Sequence, residues 1–145
     1  MRNGLRGAAA VAVLCCVGAA GASAEGRFRR VEVVDGDTVV LPVSAGFAAG
    51  FTIRLLGLDA PEANSSCQWE REKAAQATAY LRQLVARGVR ISSELEVDRP
   101  YTRFLARLYD RQERDLSAVM IAEGHGRPMA EGEARKPWCP PGAPR

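Results

Sequence analysis

Histidine is almost missing from this 145-residue chain, which has one, His125. There is no Cys-x-x-C pair either, so a tetrahedral zinc site lacks ligands. Four cysteines are too few for a disulfide-dense miniprotein. Only one long uncharged run occurs, which excludes a multi-pass membrane protein. No internal repeat recurs at solenoid spacing. Net charge is small, +3, and gives no broad basic footprint for nucleic acid. What is present is ordinary for a globular chain, 47% hydrophobic and 26% charged residues, with length for one domain.

The uncharged run lies at the start. Arg2 and Arg6 precede Gly7 to Ala24, which carries no charge, and Ala22-Ser23-Ala24 has the small-x-small form of a cleavage site. Residues 1–24 read as a secretory signal peptide, and residues 25–145 as a single mature domain. Removing the leader leaves 18 basic against 17 acidic residues, a net charge of +1. Cys67 and Cys139 remain, and an exported chain with two cysteines suggests one disulfide. Closing so long a loop contributes roughly 4 kcal/mol in the chain-entropy picture.

Apolar patterning predicts five strands and two helices. Phe28–Val34 and Thr38–Val43 flank Asp35-Gly36-Asp37, whose Asp-Gly pair suits a hairpin turn. A third strand covers Phe51–Leu58, and Pro61 ends it. Cys67–Arg87 is a helix by its three-to-four spacing, stopped by Gly88. Val89–Val97 and Phe104–Tyr109 are the fourth and fifth strands. Asp115 caps a second helix that Gly124 ends. The tail from Arg127 reads as irregular. Three short antiparallel strands, a helix, two strands and a helix suit a mainly β, five-stranded OB-fold barrel.

Several residues carry possible chemistry. Arg54 sits inside the apolar stretch Phe51–Leu56, and a buried guanidinium requires a standing anion. That anion is either an internal carboxylate or a bound phosphate. Asp37 leaves the hairpin, and Asp59 and Glu62 follow the arginine-bearing strand. These carboxylates are either turn and loop residues or oxygen ligands for a hard cation. Alternation places Arg103, Arg107 and Tyr109 on one face of the fifth strand, with Arg107 on a solvated edge. His125 reads as a helix-end residue, and Trp69 and Trp138 as packing near the disulfide.

Val33-Val34-Asp35-Gly36-Asp37-Thr38, Arg54-Leu55-Leu56-Gly57-Leu58-Asp59-Ala60-Pro61-Glu62 and Tyr101-Thr102-Arg103-Phe104-Leu105-Ala106 resemble, in order and interval, the thermonuclease (staphylococcal-type nuclease) family. The resemblance runs from about Arg27 to about Gly126. Pro137-Trp138-Cys139, taken with Cys67, is similar to a secreted branch. The resemblance implies a five-stranded OB barrel and a calcium-dependent nuclease cleaving DNA or RNA phosphodiesters to 3′-phosphates. It implies Asp37, Asp59 and the Ala60 carbonyl as calcium ligands and Glu62 as the water-activating carboxylate. Arg54 and Arg103 match the arginines on the scissile phosphate, and Tyr101 matches a phosphate-contacting tyrosine.

A phosphodiester gains charge as water attacks, so a base, a cation and aimed guanidinium forks suit it. The expected substrate is single-stranded or unstacked. The expected protein is a monomer, periplasmic or secreted, with no stable membrane association once the leader is gone. Arg99-Pro100-Tyr101-Thr102 lacks the glycine common before the family's fifth strand. An OB module that binds nucleic acid with weak or no cleavage is therefore the alternative.

Overall fold

The structure is a computed structural model that describes residues 26–42, 50–92, 95–98 and 103–142. The expected leader, the loop after Pro42, and Tyr101 with its neighbours 99–102 lie outside the described residues. The chain is mostly β with two helices. Its strands are β1 (Arg27–Phe28), β2 (Glu32–Val33), β3 (Thr38–Pro42), β4 (Gly50–Leu55), β5 (Leu58–Asp59), β6 (Val89–Ile91), β7 (Glu96–Asp98), β8 (Arg103–Ala106), β9 (Leu108–Tyr109) and β10 (Arg127–Pro128). Its helices are α1 (Gln68–Val85) and α2 (Leu116–Ala122).

Four of the five expected strands are each divided in two. β2-β3-β4-β8-β7 form one sheet and β1-β6-β9 a second. β1 pairs with β6, whereas β2, three residues further on, pairs with β3. The chain therefore changes sheets at Arg29–Val31, and again between β6 and β7 and at Arg107. Such corners are how a small sheet curls into a barrel-like form. Pairing is not wholly antiparallel as expected, because β4 runs parallel to β8, with Ile53 opposite Phe104.

The core fills this arrangement with Val39, Leu41, Ile53, Leu55, Leu58, Leu108, Leu116 and Met120. α1 closes one side through Ala74, Ala77, Thr78, Leu81 and Val85, the spacing of one helical face. Its partner α2 starts at Asp115, whose side chain accepts from Ser117 N–H at 2.9 Å. His125 follows that helix and stacks on Tyr80, ring centres 4.4 Å apart.

Two close approaches set the site. Gly36 packs its bare backbone under α1, where a Cβ would lie 2.8 Å from Ala60 Cβ and 2.9 Å from Ala77 Cβ. Only glycine lets the hairpin approach so near, and this brings Asp37 to Ala60. The tail is the other correction. It is not wholly irregular, since β10 pairs with β5, Arg127 opposite Asp59. Gly126 permits the pairing, because a Cβ there would meet Leu58 Cδ1 at 2.3 Å. Beyond β10 the chain returns to the start of α1, where Cys139 is disulfide-bonded to Cys67 with a Cα–Cα distance of 6.2 Å.

Candidate active site

Asp37 stands at the start of β3, next to the hairpin turn. Asp35 Oδ1 accepts from Asp37 N–H at 3.0 Å and fixes that turn. The Asp37 carboxylate is buried and held on both oxygens. Oδ1 accepts from Thr38 Oγ1 at 2.9 Å, and Oδ2 accepts from Ala60 N–H at 3.3 Å. Arg54 on β4 stands 3.0 Å from Oδ2. Burial pushes the Asp37 carboxyl above the usual carboxylate range, and the Arg54 charge only partly offsets it. The anion required by Arg54 is thus an internal carboxylate, and the arginine still reaches the cleft described below.

Asp59, at the end of β5, is 1% exposed. Its Oδ2 accepts from Arg127 Nε at 2.7 Å and from Trp138 Nε1 at 3.1 Å. Arg127 also lies over the Trp138 ring, 4.3 Å from its centre. Trp138 therefore serves the acidic site, beyond its expected packing near the disulfide. Trp69 is 37% exposed and faces Lys73, whose ammonium is 5.8 Å from the ring centre. Asp59 Oδ1 has Arg135 Nε at 2.8 Å, but at an angle that makes no hydrogen bond.

Glu62 is half-exposed on the loop after Pro61. Its backbone N–H donates to Glu70 Oε1 at 3.0 Å. Glu70 belongs to the first turn of α1 and is buried, and its Oε2 accepts from Ser65 Oγ at 2.6 Å. A buried glutamate thereby sets the course of the loop that carries Glu62. Arg135 completes the group, pairing with Glu62 Oε1 and donating from Nη2 to the Ala60 carbonyl. Sequence reasoning missed Glu70, Arg127 and Arg135. A carboxylate in the first turn of a helix was the available signal for Glu70.

Arg103 opens β8 and pairs with Asp98 of β7 at 2.5 Å. Exposed Arg107 pairs with half-buried Asp115 at 2.6 Å, as a solvated edge residue would. Arg54, Glu62, Arg103 and Arg135 line one open cleft of about 440 Å³. Asp37 meets that cleft through Arg54, and Asp59 and the Ala60 carbonyl meet it through Arg135. Among the described residues no three acidic, histidine or cysteine side chains converge as a ready metal cage. The donors present are two carboxylates and one carbonyl, all oxygen, which suit a hard cation with remaining positions left to water. Asp59 Oδ1 fits this, being a buried carboxylate oxygen that accepts no hydrogen bond.

A mainly β, OB-type barrel whose rim gathers carboxylates and arginines defines the class. The model of the staphylococcal nuclease homologue family matches residues 52–136, more than half of the chain, and the chain belongs to that family. The family is one of hydrolytic nucleases, which gives the chain a nuclease-related, nucleic-acid-directed character. The matched stretch contains Arg54, Asp59, Glu62, Arg103, Arg127 and Arg135. A search of curated proteins found no match.

Proposed function

We propose that the chain is an exported, calcium-dependent nuclease that hydrolyses phosphodiester bonds of DNA or RNA and leaves 3′-phosphates. The observation that carries this reading is the convergence of Arg54, Glu62 and Arg103 on one cleft beside Asp37, Asp59 and Ala60. Arg54 and Arg103 each present planar donor forks suited to the phosphate oxygens. Asp37 and Asp98 keep those forks placed before substrate arrives. Glu62 accepts the proton of the attacking water as its oxygen bonds to phosphorus. The phosphorus–O5′ bond breaks, and the leaving oxygen takes up a proton from solvent water to become the 5′-hydroxyl. Asp37, Asp59 and the Ala60 carbonyl would hold calcium, whose charge favours the extra negative charge at phosphorus.

Single-stranded or unstacked substrate suits an open cleft, and a monomer suffices for it. Export rests on the leader pattern of residues 1–24, and release into periplasm or medium follows from cleavage after Ala24. Among the described residues no helix is long and apolar enough to cross a membrane. Digestion of single-stranded DNA and RNA by the purified mature chain tests the reading. Cleavage should require calcium, stop with a chelator and yield 3′-phosphate ends. Salt-sensitive binding without any cleavage would leave the non-catalytic OB module instead.

A further inference from the structure

The guanidinium of Arg135 lies on the oxygens expected to serve the metal and the water. Its Nε is 2.8 Å from Asp59 Oδ1, its Nη2 donates to the Ala60 carbonyl, and its Nη1 pairs with Glu62 Oε1. Two of these are oxygens of the expected cation site, and the third belongs to the expected base. The residues beside it are pinned. Arg127 donates to the Pro137 carbonyl at 3.1 Å and to the Lys136 carbonyl. Trp138 holds Asp59 Oδ2, and Cys139 is bonded to Cys67. A chain fixed at 136–139 delivers Arg135 to this point.

We propose that Arg135 is an intramolecular occupant of the cation site and that calcium must displace it to load. The inference rests on the calcium-nuclease reading above and adds the residue that sets its calcium requirement. Arginine is a pure donor and can never be a metal ligand. Calcium needs six to eight oxygens, so it cannot share Asp59 Oδ1 and the Ala60 carbonyl with that donor. Two cations at one small oxygen cluster also repel strongly. Occupancy is therefore exclusive. When Arg135 holds the oxygens, the site is already neutralised and Glu62 Oε1 is covered.

The two oxygens of Asp59 divide the work. Oδ2 keeps Arg127 and Trp138 in either state, so the carboxylate stays placed when Arg135 leaves. Oδ1, with no hydrogen bond, is the oxygen that a metal can take. Arg135 has somewhere to go. Its side chain is 30% exposed, and Glu131 lines the same cleft as a replacement partner.

The test is a calcium titration of the chelator-treated mature chain with its disulfide intact. Wild type, Arg135→Ala and Arg135→Lys are compared by calorimetric heat and by the calcium-induced rise in melting temperature. Removing a charged multi-oxygen contact should tighten calcium binding by about tenfold or more in Arg135→Ala. Arg135→Lys should fall between, since a point ammonium cannot span three oxygens as a fork does. The calcium needed for half-maximal cleavage should drop by the same factor. Melting without calcium shows whether Arg135→Ala is folded. Calcium binding that is unchanged or weaker in folded Arg135→Ala makes Arg135 a scaffold and overturns the proposal. Absence of calcium binding in every variant also overturns it. Affinities that separate as stated, with no cleavage at saturating calcium, leave this inference standing and sink the nuclease reading alone.

Discussion

Arg54 and Asp37 meet at 3.0 Å beside the β3–β4 ladder, where Thr38 is the direct partner of Arg54. The pairing places a buried carboxylate and a largely buried guanidinium at the edge of the cleft, each the condition for burying the other. Removing one leaves an uncompensated charge, whereas removing both does not. Arg54→Ala should cost about 3–5 kcal/mol of stability, measured by urea unfolding. The double variant Asp37→Asn/Arg54→Met should recover most of that. Neither should cleave, because in the proposed mechanism the lost fork also serves the phosphate. Stability that fails to return in the double variant would show that the ion pair is not what Arg54 contributes to the fold.

Glu62 separates stability from chemistry. Its side chain is 40% exposed and its loop is held through the backbone, so Glu62→Gln should leave the melting temperature unchanged. Loss of the proposed general base should lower kcat by about 100-fold or more. A rate near that of wild type at saturating calcium would remove Glu62 from the reaction.

The elements most legible in the sequence were those with local causes. Alternating apolar residues marked β3 and β4, Asp35-Gly36 marked the hairpin, and the three-to-four spacing of Ala74, Ala77, Leu81 and Val85 marked α1. Strand division was hidden. A two-residue period continues through a barrel corner, and only partner choice decides that Phe28 pairs with Val89 while Val33 pairs with Val39. Of the candidate site, Asp37, Arg54, Asp59, Ala60, Glu62 and Arg103 were named by resemblance. Arg127 and Arg135 were not. Each reaches Asp59 from an aperiodic, Pro-containing segment, and such long-range ion pairs leave no local pattern.

Glu70 bears on the proposed reaction at one remove. It accepts the Glu62 amide at 3.0 Å and the Ser65 hydroxyl at 2.6 Å from a buried position. Glu70→Ala strands both donors, and should cost about 1–3 kcal/mol and lower kcat more than it raises KM. Glu70→Gln keeps an acceptor for the amide, and Ser65 can accept from the new NH2. It should therefore restore most of both properties. Equal loss in the two variants would mean that the charge, and not the hydrogen-bonding shape, is what Glu70 supplies.

Asp110 gives the fold a pH signature outside the cleft. Burial alone would raise its carboxyl, but hydrogen bonds from the backbone and side chain of Arg114, and from the Gln112 amide, hold it below its ordinary value. The amides of Gln112 and Arg114 lie 2.8 and 3.0 Å away, and the Arg114 side chain donates at 2.7 Å. A carboxylate whose folded value is lowered stabilises the fold above its unfolded value, and that stability is lost as pH falls through the folded one. Asp110→Asn keeps an oxygen for the amides and loses the charge. It should cost about 1 kcal/mol near pH 7, a modest figure because Arg114 is well exposed. The gap from wild type should narrow below about pH 4, as the wild-type carboxyl protonates. Denaturant midpoints measured across pH check this. Asp110 does not line the cleft, so cleavage at neutral pH should be unchanged. A stability gap that persists at low pH would assign the turn's contribution to its hydrogen-bond geometry, with no share for the charge.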